Sequence, residues 1–272
     1  MNPATSRVFE QARAEGRAAL IGYLPAGFPS RDASASMINA MLAGGVDLVE
    51  VGLPYSDPLM DGAAIQQAVE IALSDGTTPR DVLDVVGKLS LGPDQAAVVM
   101  SYWNPIERFG VGEFASALSS VGGSGVITPD LTPEEAADWI EATDQHDIDR
   151  TFLVAPSSTD DRIALVVAAC TGFVYAASTM GVTGARDQVS SAAPTLVQRV
   201  RHFTGAPIGV GLGVSTGDQA AEIAGYADGV IVGSAFVRRI LQAQGQADAA
   251  KAVQAFAGEL ADGVRRPVRH AV

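Results

Sequence analysis

The sequence predicts an α/β fold in which eight parallel strands, each followed by a helix, close into a barrel. Three observations lead there. Eight short runs rich in Val, Ile and Leu recur along the 272 residues. Each run is near-continuously apolar, as parallel strands covered on both faces must be. The segments between them carry helical spacing and helix-start residues, and no long linker interrupts the alternation.

The runs are ALIGYL from Ala19, VDLVEVG from Val46, AAVVMSY from Ala96, GVIT from Gly125, TFLVA from Thr151, FVYAA from Phe173, PIGVGLG from Pro207 and DGVIVG from Asp228. Ser30 and Asp32 open one helix, and Thr132-Pro133-Glu134-Glu135 opens another with Pro in its first turn. Ser158 to Asp161 and Ser215 to Asp218 start two more. A further helix, roughly Thr5 to Glu15, precedes the first strand and is expected to cover the barrel floor. An open doubly wound sheet would want G-x-G-x-x-G after its first strand, where this chain reads GYLPAGFP. The reading is therefore a single TIM-barrel domain over residues 1–272 with an extra N-terminal helix.

Composition narrows the function. Apolar residues make up 47% of the chain, enough for a large core, and 29 glycines suit many tight strand–helix turns. Net charge is −13 and the only lysines are Lys88 and Lys251, which argues against nucleic acid and anionic membranes as partners. An anionic substrate would need a local site. The first twenty residues hold acids and no apolar core of a signal peptide, and no apolar run reaches membrane-spanning length. Cys170 is the single cysteine, so an internal disulfide is impossible, and a small buried apolar role is its default. A cytoplasmic setting is expected.

In a barrel, chemistry belongs at the C-terminal ends of the strands. His146, His202 and His270 pair with no other ligand type at a useful spacing, so no metal site is expected. The two lysines fall in helical segments, away from strand ends, which disfavours a Schiff base. Carboxylates, hydroxyls and glycines remain. The most informative stretch is VDLVEVGLPYSDPLMDGAAIQ, Val46 to Gln66. Strand alternation puts Leu48, Glu50 and Gly52 on one face. A carboxylate inside an apolar strand is either hydrogen-bonded for structure or poised for proton transfer, and the residue alone leaves both open. The loop that follows adds Asp61. Asp57, in the same loop, reads by default as a turn acid.

Two glycine-rich segments suit phosphate. GVGLGVSTGD, Gly209 to Asp218, ends the seventh strand, and VGSAFV, Val232 to Val237, ends the eighth. Backbone N–H groups at such turns hold phosphate without lysine, and barrels place phosphate there. GVTG, Gly181 to Gly184, is a candidate lid.

Together these segments resemble the tryptophan synthase alpha family. The resemblance runs from GYLPAGFPS to VGSAFV and is carried by VEVGLPYSDPLMDG, SYWNP, VAPSST, VYAASTMGVTGAR, GVGLGVS and VGSA, in collinear order. It implies cleavage of indole-3-glycerol phosphate to indole and glyceraldehyde 3-phosphate. Glu50 would be the catalytic acid/base and Asp61 the partner of the indole nitrogen. Tyr175 would lie near the indole, and Thr183 would close onto Asp61. Gly184, Gly213, Gly233 and Ser234 would contact phosphate. Asp57, Asn104 and Pro133 would face a tryptophan synthase beta subunit in an α2β2 tetramer. No cofactor is implied for this chain; pyridoxal phosphate would belong to the beta partner. Two departures stand out: Ala63 replaces a common Pro after the loop's Asp-Gly, and Trp103 stands where a second Tyr is frequent. Two other readings use the same residues. One is a standalone lyase that releases free indole, and Asp57 and Asn104-Pro105 weigh against it. The other is a silent regulatory barrel, and the two acids with the phosphate glycines weigh against that.

Overall fold

The computed structural model describes residues 3–177, 192–211 and 213–266. Its strands are β1 (Ala19–Pro25), β2 (Leu48–Gly52), β3 (Ala96–Met100), β4 (Gly125–Ile127), β5 (Asp149–Thr151), β6 (Leu153–Val154), β7 (Val174–Ala177), β8 (Ile208–Gly211) and β9 (Gly229–Val232). The helices begin with α1 (Pro3–Ala14), α2 (Arg31–Ala43), α3 (Ala63–Ser74), α4 (Pro79–Gly87), α5 (Trp103–Phe109) and α6 (Val111–Ser120). They continue with α7 (Ala137–Gln145), α8 (Asp160–Ala169), α9 (Ala192–Arg201), α10 (Gly217–Ala224), α11 (Ser234–Gln242) and α12 (Gln246–Val264). No described helix is long and apolar enough to cross a membrane.

All strand pairs are parallel, in the order β5-β4-β3-β2-β1-β9-β8-β7-β6. The two ends of that row, β5 and β6, are separated by Phe152 alone. The ring therefore closes through the chain itself, and nine hydrogen-bonded segments fill eight barrel positions. Phe152 breaks the fifth position because its N–H turns to Cys170 Sγ at 3.4 Å while its carbonyl accepts from Tyr175 at 3.2 Å. Cys170 is accordingly half-buried rather than a fully buried apolar filler.

The fifth strand also starts at Asp149, two residues before the apolar run that announced it. The polar pair Asp149-Arg150 is buried. The Arg150 guanidinium is satisfied by Thr143 Oγ1 at 2.7 Å, the carbonyls of Ile140 and Ala169, and the Asp144 carboxylate. Such a strand is invisible to a hydrophobicity pattern. The other difference lies at Thr132-Pro133. Pro133–Glu135 form only a 3₁₀ turn, and Thr132 donates its hydroxyl to the Glu135 side chain rather than capping a helix. The remaining helix starts behave as the sequence suggests. Ser30, Thr159 and Thr216 accept from the backbone N–H three residues on.

Two apolar layers hold the barrel. The outer one lies between strands and helices. The inner one fills the lower barrel with Ala19, Ile21, Leu48, Val98, Ile127, Phe173 and Ile231. Val8, Phe9 and Ala12 of α1 join this inner cluster, with the Phe9 ring tilted against that of Phe173, centroids 5.5 Å apart. The N-terminal helix thus plugs the floor, and only the upper barrel is left for chemistry.

Helix α12 seals the outer ring by close backbone approach. A Cβ on Gly263 would lie 2.3 Å from the Gly217 carbonyl oxygen on α10, and one on Gly44, after α2, 2.5 Å from the Gln254 carbonyl oxygen. Neighbouring backbone cannot retreat as a side chain can. Gly263→Ala is expected to destabilise the fold by about 1–3 kcal/mol, read as a lowered midpoint in denaturant unfolding; unchanged stability would show that the α10–α12 crossing yields.

Candidate active site

Among the described residues, β2 turns a carboxyl inward at the upper face of the barrel. Glu50 lies on β2, in register with Tyr23 on β1 and Val98 on β3. It is 1% exposed, and neither carboxylate oxygen has a hydrogen-bond partner among the described residues. Of the two roles the strand position allowed, a structurally hydrogen-bonded glutamate is therefore not what these residues build. Burial pushes its carboxyl up to about 8. Asp61, half-buried in the loop after β2, is pushed by burial to about 6. Near neutral pH the two acids differ: Glu50 holds its proton and Asp61 is ionised. Both act on the Tyr175 hydroxyl, whose pKa is held well above its ordinary value, first by burial and then by the two acids. Glu50, Asp61 and Tyr175 thus share one environment.

Two tyrosines lie across glycines at the strand tops. A Cβ on Gly211 would lie 2.5 Å from the Tyr175 hydroxyl oxygen, and one on Gly52 would lie 2.4 Å from that of Tyr23. Glycine at each place lets an aromatic ring lean over the neighbouring strand. Sequence reasoning assigned no part to Tyr23; it placed Gly52 on the face of Glu50 and Gly211 in a phosphate-suited segment, without an aromatic neighbour for either. The same alternation that turned Glu50 inward could have found Tyr23, two residues after inward-facing Ile21.

The phosphate candidates are partly assembled. Gly213 adopts φ +70°, a conformation that favours glycine, just past β8. Gly233 caps α11 from the top of β9, and Ser234 is its first residue, buried at 5%. β8 and β9 are paired neighbours, so these turns are adjacent. A helix start leaves its first N–H groups available to an anion; on α11 the Phe236 N–H is already taken by the Gly233 carbonyl at 2.9 Å. The start of α10 is different. Glu259 takes the Gly217 N–H at 3.0 Å and Thr216 takes that of Gln219 at 3.2 Å. The Ser215 N–H goes to Gln219. Of the GVGLGVSTGD segment, only the turn around Gly213 remains a phosphate candidate. Thr183 and Gly184 lie outside the described residues.

The expected partner residues fall on one connected rim. Asp57 and Asn104 are exposed, and Pro133 is half-buried. The Tyr102 hydroxyl accepts the Leu59 and Met60 N–H groups, each at 3.0 Å, and so ties the second loop to the third strand's end. The Trp103 N–H donates to Asp130 at 2.9 Å and joins the third loop to the fourth. Leu59 stands 75% exposed at the tip of this rim. Tyr102 and Asp130, which hold the rim together, were placed at strand ends by the sequence but given no role, because their roles are contacts between loops.

Comparison with known proteins agrees with this geometry. Residues 9–265 match the family model described as tryptophan synthase alpha chain. The chain is 59% identical to the tryptophan synthase alpha chain of Thermobifida fusca, over 97% of this chain and 98% of that one. It is 55% identical to that of Acidothermus cellulolyticus, over 97% of each. Among solved structures, it superposes on a chain of Mycobacterium tuberculosis tryptophan synthase with a TM-score of 0.90 at 53% identity, covering 96% of this chain and 98% of that chain. The alpha subunit of Legionella pneumophila superposes at 0.85 with 29% identity, over 97% and 98%. This chain therefore belongs to the tryptophan synthase alpha chain family, barrel lyases that cleave indole-3-glycerol phosphate in tryptophan biosynthesis.

Proposed function

We propose that Glu50 and Asp61 carry this alpha reaction as a proton carrier and an ionised partner. The observation that supports it best is a buried, inward-facing carboxyl with no described hydrogen-bond partner, raised to about 8 beside an acid raised only to about 6. Protonated Glu50 delivers its proton to indole C3. Positive charge then develops on the ring nitrogen, and ionised Asp61 accepts the N–H hydrogen bond and stabilises it. The Glu50 carboxylate takes the proton of the adjacent chain hydroxyl as the carbon–carbon bond breaks. Indole and glyceraldehyde 3-phosphate result, and Glu50 recovers its proton. The cycle balances with proton transfers alone, so we assign no cofactor to this chain.

In the same reading, Tyr175 packs beside the indole, while Gly184, Gly213, Gly233 and Ser234 hold the phosphate. Thr183 closes onto Asp61. Residues 1–272 act as one barrel domain, in the cytoplasm. Asp57, Asn104 and Pro133 face a beta subunit, two of each chain forming the complex, with pyridoxal phosphate confined to the beta partner. The connected rim supports this, because a partner pressing on it would also set the loop that carries Asp61.

Two outcomes are expected. Glu50→Gln should lower indole formation by roughly 10²–10⁴-fold or more while phosphate-bearing ligands still bind, and Asp61→Asn should be severely impaired as well. Near-normal turnover in either variant, measured by indole release, would remove that residue from the mechanism. The second outcome concerns regulation. The isolated chain should be a weak catalyst activated strongly by the beta subunit, since a loop sampling open states leaves Asp61 away from the indole nitrogen. Thr183→Val should lose much of that activation. Equal steady-state rates for the isolated chain and the complex would favour a standalone lyase.

A further inference from the structure

Tyr23 has no part in the assignment above, and its placement calls for one. It sits on β1, which lies between β9 and β2 in the ring. Its ring passes close to Gly233, where an added Cβ would lie 3.2 Å from Tyr23 Cδ1. Its hydroxyl ends over Gly52, one position above inward-facing Glu50 on that face of β2. The side chain therefore runs from the proposed phosphate turn to the acid pair. It is 8% exposed. Asp61 and Glu50 both act on that hydroxyl, after burial, to keep it protonated.

A phenylalanine would pack against Gly52 and Gly233 equally well, so packing leaves the hydroxyl unexplained. A substrate with its phosphate at Gly213, Gly233 and Ser234 and its ring nitrogen at Asp61 must cross the top of β1. The atoms in that stretch are those of the glycerol chain, and its polar groups there are two hydroxyls. A tyrosine O–H can both donate to and accept from such groups.

We propose that the Tyr23 hydroxyl hydrogen-bonds a hydroxyl of the substrate's glycerol chain, which makes Tyr23 a specificity-determining residue. The inference rests on the substrate orientation given under Proposed function.

The test compares two ligands on the alpha–beta complex. One is indole-3-glycerol phosphate; the other joins indole and phosphate through an unsubstituted propyl chain. Tyr23→Phe should lower kcat/KM for the substrate roughly tenfold, yet change the competitive inhibition constant of the deoxy analogue by less than about twofold. Equal losses for both ligands would assign Tyr23 to packing, and no loss for the substrate would leave its hydroxyl without a role; either result overturns the inference. Glu50→Gln, assayed alongside, separates the two levels. An active Glu50→Gln variant would sink the site reading itself, whereas an inactive one beside a silent Tyr23→Phe would sink only the role of Tyr23.

Discussion

Glu50 lies on β2 between Tyr23 of β1 and Val98 of β3, and burial raises its proton affinity. A carboxyl in that position is neutral at rest, because an ion there would lack both water and a donor. The arrangement gives the barrel mouth a stored proton near neutral pH. It also makes the ionised state unfavourable enough that the group recovers a proton readily. An acid/base that must act twice in one cycle benefits from both properties.

The surrounding architecture preserves that environment. Helix α1 fills the lower barrel, so water does not reach Glu50 from below. Above it, Tyr23 and Tyr175 lean over Gly52 and Gly211 and bring aromatic surface to the strand tops. Asp61 sits at the edge of this apolar region, half-buried, and so retains the lower pKa of the two. A difference in burial, rather than in residue type, separates the roles proposed for them. The rim loops then connect this chemistry to the outer surface, because Tyr102 binds the loop only one residue before Asp61.

Much of this was legible in the sequence, and the failures have physical causes. Glu50 stood out because an acid interrupts an apolar run, and alternation gave its face. Asp61 followed from its loop. The eight strands were readable wherever both faces are apolar. The fifth was misplaced because it opens with Asp149 and Arg150, whose burial depends on partners from α7 and α8. The seventh strand's helix start looked like a phosphate site, but Glu259, forty-two residues away, already occupies its first N–H. Tyr23 escaped notice, and Tyr102 and Asp130 were placed at strand ends without a role, because their contacts run between strands or loops. Thr183 and Gly184 carry a role by family resemblance only.

The central claim is that burial holds the Glu50 proton, and folding stability reports it directly. With a folded-state pKa near 8 against 4.5 unfolded, the folded chain binds more protons than the unfolded chain between those values. Stability contributed by this group is full below pH 4.5 and is lost as pH rises toward 8. Glu50→Gln removes that dependence, while Asp61 titrates alike in both proteins. Denaturant unfolding of the two from pH 5 to 8 should show the variant gaining on the native chain by up to about 1.4 kcal/mol per pH unit. A constant difference across that range would mean that Glu50 is ionised in the folded chain, and would contradict the account.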